Sequence, residues 1–148
     1  MSAANGGSYK KILLATDGSE YSAGATRTAL KLAANCGAQL RVFTMVFTNP
    51  EYEALTPKSV DKAEHEAHDI VELVRAAAAA QGLACDTAAR HGEEPAQEIV
   101  AEANTWGADL IVMGRRGKRG LARLMVGDAT FKVIGQARCA VLVVPRNA

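Results

Sequence analysis

The sequence predicts an α/β fold: a single open three-layer sandwich in which a parallel sheet carries helices on both faces. Three observations carry that prediction. Strand-like and helix-like segments alternate five times along 148 residues. Within the strands starting at Lys11, Ala108 and Ala140, the runs Ile12 to Ala15, Leu110 to Met113 and Ala140 to Val144 are continuously apolar, as strands covered on both sides must be. Gly37, Gly82 and Gly107 each stand where a helical pattern stops.

Lys11 to Thr16 (KILLAT) reads as the first strand, and Asp17-Gly18-Ser19 supplies a turn and an N-cap for the helix that follows. That helix runs toward Asn35, with Ala25, Ala29, Leu32, Ala33 and Cys36 at helical spacing and Arg27 and Lys31 facing away. Leu40 to Phe47 is the second strand. A polar connection with Asn49, Pro50 and Pro57 leads to a long helix from about Ser59 through the alanines at 76–80 to Gly82. The third strand, about Leu83 to Ala89, is polar enough for a sheet edge, and it puts His91 in the loop beyond. Glu93 and Glu94 before Pro95 start another helix, whose buried stripe is Ala96, Ile99, Val100 and Ala103. Ala108 to Met113 is strand four, Ala129 to Arg138 a helix, and Ala140 to Val144 strand five, closed by Pro145.

A composition that is 49% apolar suits one domain, here residues 9–146, with residues 1–8 a loose tail. The net charge of +1 gives no bias toward nucleic acid or membrane. Cys36, Cys85 and Cys139 are far apart and lack metal-ligand spacing, so buried thiols in a reducing compartment are expected. The N-terminal residues have no apolar core of a signal sequence, which predicts a cytoplasmic protein.

Ligands of open α/β sheets lie at the carboxyl ends of strands. Two polar turns follow strongly apolar strands: Asp17-Gly18-Ser19 and Gly114 to Gly120. In the second, Gly114, Gly117 and Gly127 are spaced so that backbone N–H groups can approach an oxyanion. Arg115, Arg116, Lys118, Arg119 and Arg123 concentrate positive charge between them. Each turn also has a plainer reading, Asp17 as a turn former and the arginines as a solvated loop. Glu64, His65, Glu66, His68 and Asp69 read as a solvated helix face, Ser19 and Ser22 lack the setting of a hydrolase nucleophile, and Trp106 reads as a packing residue.

The chain resembles the universal stress protein family. Four ordered motifs carry the likeness: Ala15-Thr16-Asp17-Gly18-Ser19, Ala108-Asp109-Leu110-Ile111-Val112-Met113-Gly114, the glycine spacing, and Ala140-Val141-Leu142-Val143-Val144-Pro145. The resemblance implies a five-stranded parallel sheet in the order 3-2-1-4-5 and an adenine nucleotide between strands one and four. That ligand is ATP, or ADP or AMP, with Mg²⁺. It implies that Ala15, Thr16 and Asp17 hold the adenosine end and that Met45 lines the adenine pocket. Met113, Gly114, Arg116 and Gly117 would follow the ribose and phosphates, and Gly127, Asp128, Ala129 and Thr130 would receive the terminal phosphates. It also implies a homodimer formed through the last strand, Val141 to Val144, whose edge is otherwise open.

The family pattern has Ser or Thr directly after the third glycine, and this chain has Asp128. A carboxylate about 4 Å from a phosphate is repelled by about 1 kcal/mol per unit charge in water and by about 4 at an intermediate dielectric. It can also cap the helix and fill the anion site from within. Two readings follow: a binding module for adenine nucleotide with at most slow hydrolysis, or a protein of the same fold in which Asp128 blocks the phosphate site and which acts through dimerisation or protein partners. A hydrolase or adenylyl transferase is disfavoured, since the Ser-Gly-Gly loop of related pyrophosphatases is absent.

Overall fold

The computed structural model describes residues 8–47, 57–116 and 126–148, which hold five strands. These are β1 (Lys11–Ala15), β2 (Gln39–Phe47), β3 (Cys85–Gly92), β4 (Leu110–Gly114) and β5 (Ala140–Val144). The helices are α1 (Ala23–Cys36), α2 (Pro57–Ala80), α3 (Pro95–Trp106) and α4 (Asp128–Gln136), with a 3-10 turn at Glu20–Ser22 before α1. The sheet is parallel throughout, in the order β3-β2-β1-β4-β5, as the family resemblance implies.

Alternation along the strands sorts the core into two layers. Ile12, Leu14, Val42, Leu110 and Val112 face α1 and α2, where Ala25, Ala29, Val71 and Ala78 meet them. Leu13, Ala15, Phe43, Ile111 and Met113 face α3 and α4, against Ala96, Ile99, Ala103 and Val133. The central strands are therefore buried on both sides, which is why their sequences read as unbroken apolar runs. Asp109, just before β4, accepts hydrogen bonds from the N–H groups of Lys10 (2.9 Å) and Lys11 (3.0 Å). This clamp starts β1 and β4 at the same level and sets the register Ile12 to Leu110 through Ala15 to Met113.

Several local expectations change. Ser19 does not cap a helix with its side chain; its hydroxyl donates to Asp17, and the chain makes a 3-10 turn before α1 begins at Ala23. The third strand starts two residues later than expected and extends to Gly92, so His91 lies in β3, paired with Val46, and not in a loop. Its imidazole Nε2 lies 3.1 Å from Glu64 Oε1 on α2. The cysteines are half-buried and free, and burial pushes the thiols of Cys85 and Cys139 up, which keeps them protonated at neutral pH. The Asn49 and Pro50 connection, the tail residues 1–7, Gly117, Lys118, Arg119, Gly120 and Arg123 lie outside the described residues.

Trp106 packs against the second core layer, as a lone aromatic there should, and two cations cover its ring: Arg41 at 4.7 Å and Lys11 at 5.4 Å from the centroid. Arg41 joins a network the sequence reading missed. Glu102, 7% exposed, takes Arg41 Nη1 at 2.7 Å on one carboxylate oxygen and Arg90 Nε at 2.9 Å on the other. Burial alone would raise its pKa, but the hydrogen bonds from Arg90 and Arg41, with their charges, outweigh burial and hold it below the usual 4.5.

Replacing Glu102 with glutamine removes the charge that Arg41 and Arg90 share, leaving Arg41 only Asp86 at 3.5 Å, and is expected to cost about 2 kcal/mol by urea unfolding. That is below the range for a fully buried pair, because Arg41 and Arg90 keep contact with water. A lowered folded-state pKa contributes stability above the unfolded value and loses it as pH falls through the folded one. The gap between wild type and Glu102→Gln should therefore be steady from about pH 5 to 7 and close below about pH 4. A gap that widens on acidification would contradict this assignment.

Candidate functional site

Because β1 and β4 end at the same level, the turns that follow them stand side by side. A cavity of about 430 Å³ opens there, at the carboxyl ends of β1, β2 and β4, within the size range of small-ligand sites. Ala15, Thr16, Asp17, Met45, Met113, Gly114, Arg116, Gly127, Asp128, Ala129 and Thr130 all line it. These are the residues singled out in the sequence, except Gly117, which lies outside the described residues.

The turn after β1 is held by its own side chains. Asp17 Oδ1 accepts hydrogen bonds from the Ser19 N–H (2.9 Å), the Ser19 hydroxyl (2.6 Å) and the Ser22 hydroxyl (2.9 Å). Thr16 Oγ1 accepts from the Gly18 N–H at 3.0 Å, and Gly18 takes a φ of +76°. Asp17 therefore does shape the turn, and Ser19 and Ser22 are committed to it. A Cβ at Gly18 would also lie 2.7 Å from Ile70, which brings α2 over the turn as one wall of the crevice.

The turn after β4 is built by close backbone approach. A Cβ on Gly114 would lie 2.9 Å from the Tyr21 carbonyl oxygen, so a side chain there would push the two turns apart. Thr130, buried in α4, donates its hydroxyl to the Gly114 carbonyl at 2.9 Å, and the Gly127 N–H donates to the Arg115 carbonyl at 2.8 Å. These bonds aim the start of α4 at the crevice. Gly127 is the N-cap, so the N–H groups of Asp128, Ala129 and Thr130 have no intrahelical acceptor and carry the positive end of the helix dipole.

Asp128 does not cap this helix. It is the first helical residue, its side chain is 82% exposed, and Oδ2 lies 3.1 Å from Lys132 Nζ one turn on. Lys132 reaches Glu94 as well, at 3.4 Å, and hydrogen bonding first to Asp128 and then to Glu94 raises its pKa. The expectation that the carboxylate fills the anion site from within is corrected: an i,i+4 ion pair draws it along the helix surface. Its counter-charge is Lys132, which the sequence reading passed over in favour of the arginines. The Arg116 guanidinium instead lies over the Tyr21 ring, 4.3 Å from its centroid.

Other lining residues come from elements distant in sequence: Phe43, Thr44 and Val46 on β2, Ala63, Glu66, Ala67 and Ile70 on α2, and Glu93, Glu94 and Pro95 before and within α3. Glu66 belongs to the run read as a solvated face; it is exposed and also borders the cavity. The sequence signals for α2 were its alanine run and the stop at Gly82, which mark a helix and not how far it reaches over the strand ends.

Phe43, Met45, Ala67, Ile70 and Met113 make one part of the cavity apolar, and the backbone N–H groups at 128–130 make another part a receptor for anions. Among the described residues, no group of three or more His, Cys, Asp or Glu side chains is placed to hold a metal ion.

An open parallel sheet with a lined crevice where the strand order reverses defines an α/β protein of the doubly wound kind. The chain belongs to the universal stress protein family, whose model matches residues 8–145. It is 34% identical over 142 residues to universal stress protein MJ0531 of Methanocaldococcus jannaschii, an alignment that covers 93% of this chain and 83% of that one. Among solved structures it is similar to universal stress protein UspA from Lactobacillus plantarum, with 25% identity, a TM-score of 0.82, and coverage of 92% of this chain and 97% of that one. In fold alone it matches the universal stress protein from Archaeoglobus fulgidus in complex with dAMP, at 21% identity and a TM-score of 0.67, over 93% of this chain and 98% of that one. None of the described helices is long and apolar enough to cross a membrane.

Proposed function

We propose that the crevice binds an adenine nucleotide, ATP or its shorter relatives ADP and AMP, accompanied by Mg²⁺ when the phosphate chain is long. In this reading the protein is a cytoplasmic stress-response module that signals by binding, with at most slow hydrolysis, and that forms a homodimer through β5. The observation that carries it is the opposition within one cavity of an apolar part, suited to a base, and the open start of α4, suited to phosphate. A structure of the same fold holding dAMP supports the choice of adenine. The exposed side chain of Asp128, engaged by Lys132, favours this over the reading in which the carboxylate blocks the site.

The dimer reading rests on β5, which is an edge strand, and on exposed apolar residues nearby in the chain, Phe131, Ile134 and Leu142.

The test is a melting series with ATP, ADP, AMP and adenosine, each with and without Mg²⁺. A ligand at a hundredfold excess over its dissociation constant is expected to stabilise by about 2.7 kcal/mol, a rise of about 5–10 °C for a chain of this size. No shift with any of the four at millimolar concentration would refute the proposal. In Asp128→Ser, loss of the nearby negative charge is expected to tighten ATP by about tenfold and to leave adenosine unchanged, by calorimetric titration. Equal effects on both ligands would place the carboxylate away from the phosphates.

A further inference from the structure

A second cleft borders the turn after β4. It has a volume of about 210 Å³ and is lined by Tyr21, Arg115, Arg116, Pro145, Arg146 and Asn147. At roughly 30 Å³ per water in the liquid, that is room for a small oxyanion with part of its hydration shell. It shares Arg116 with the crevice but none of the crevice's other lining residues.

Both walls are pinned. The Arg115 N–H donates to the Val144 carbonyl at 3.0 Å, while its carbonyl accepts from Gly127 at 2.8 Å, so its backbone is fixed between β5 and α4. Opposite, Arg27 on α1 donates from Nη2 to the Arg146 carbonyl at 2.8 Å and from Nε to the Ala148 carbonyl at 2.9 Å. Gly24 lets α1 approach this segment, since a Cβ there would overlap the Pro145 carbonyl oxygen.

Positive charge is gathered within these walls. The Arg116 and Arg146 guanidinium carbons lie 4.3 and 5.6 Å from the centroid of one ring, that of Tyr21, so the two like charges are at most the sum of those distances apart. Arg115 adds a third arginine, and none of the described lining residues is acidic. Glu20 reaches Arg146 from outside, at 3.4 Å, with a largely exposed side chain. Like charges held together on a rigid scaffold repel, and a bound anion turns that repulsion into attraction. Guanidinium groups present paired N–H donors that match the oxygens of a phosphoryl group.

We propose that this cleft is a second anion site, separate from the crevice, that takes a small phosphoryl anion such as inorganic phosphate or pyrophosphate, with Arg146 and Arg115 as its principal donors. Calorimetric titration of the intact protein with inorganic pyrophosphate at low ionic strength tests this, alongside a parallel titration with ATP. The expected result is saturable pyrophosphate binding that weakens about tenfold to a hundredfold in Arg146→Ala and again in Arg115→Ala, the loss of one charge-assisted hydrogen bond each. Arg146→Glu should abolish it, and ATP affinity should stay within twofold of wild type in Arg146→Ala. Arg146 is on the surface, and an unchanged melting temperature without ligand shows that the variant is folded. Absence of saturable binding, or binding indifferent to Arg146→Glu, overturns the proposal. So does a parallel loss of ATP and pyrophosphate affinity in Arg146→Ala, which would make the cleft part of the nucleotide's own path. If ATP fails to bind in any variant, that result counts against the crevice reading and leaves the pyrophosphate arm to decide on the cleft.

Discussion

Truncating Phe43 to alanine is expected to cost about 3–5 kcal/mol and to lower the melting temperature by roughly 10 °C. The ring sits at the centre of β2, 1% exposed, packed with Leu13, Ile111 and Ile99 in the second core layer. It is also part of the crevice lining, so the space it vacates adjoins that crevice and does not form a sealed void. Two measurements separate these roles. Urea unfolding reads the loss of packing, and a nucleotide titration of the folded variant reads the loss of an apolar surface that a base would lie against. If Phe43 contributes only to the core, stability falls and affinity is unchanged; the expected outcome is that both fall. A loss below about 1 kcal/mol would contradict the burial that the structure assigns to this ring.

Gly24→Ala is expected to destabilise by about 2–3 kcal/mol, or roughly 5–10 °C, although alanine is the better helix former by about 1 kcal/mol. The added methyl would overlap the Pro145 carbonyl oxygen and lie 3.1 Å from the Arg146 carbonyl. That backbone cannot simply withdraw, because Arg27 holds the Arg146 and Ala148 carbonyl oxygens. Gly135→Ala is the matched comparison: it too is in a helix, but its Cβ would meet nothing within 4 Å. There the propensity gain should survive, a stabilisation of about 0.5 kcal/mol. If both variants shift stability in the same direction, the close approach of α1 to the segment after β5 is not as described.

The two arms of the crevice were legible to different degrees. The turn at Asp17 and the glycines after β4 stand out locally, because a polar turn after an apolar strand and glycines before a helix are unusual side by side. The α2 wall does not stand out. Ala63, Ala67 and Ile70 look like any buried stripe, and only packing against Gly18 brings them over the strand ends. Asp128 shows the same limit from the other side. Its identity predicts a cap, yet helix capping and an ion pair with Lys132 compete for one carboxylate, and the register of α4 decides between them. Gly127 takes the cap position because its N–H is already engaged by Arg115 and a Cβ there would crowd Arg116. Glu102 was unreadable for a related reason: an acid one position from Ala103 looks like the margin of a helix face until Arg41 and Arg90 arrive from two neighbouring strands.

What the sequence determined by itself was whatever depends on neighbours a few residues apart: the alternation of strands and helices, the helix ends at Gly37 and Gly107, both with positive φ, and the double burial of the central strands. Family likeness added the strand order. Only the tertiary structure decided which distant side chains meet: α2 over the β1 turn, Lys132 on Asp128, two arginines on Glu102, and Arg116 and Arg146 on one tyrosine ring. The physical reason is range. Periodicity, propensity and turn chemistry act within a few residues along the chain, whereas the partner of a charge is whichever group the folded backbone brings within about 4 Å of it.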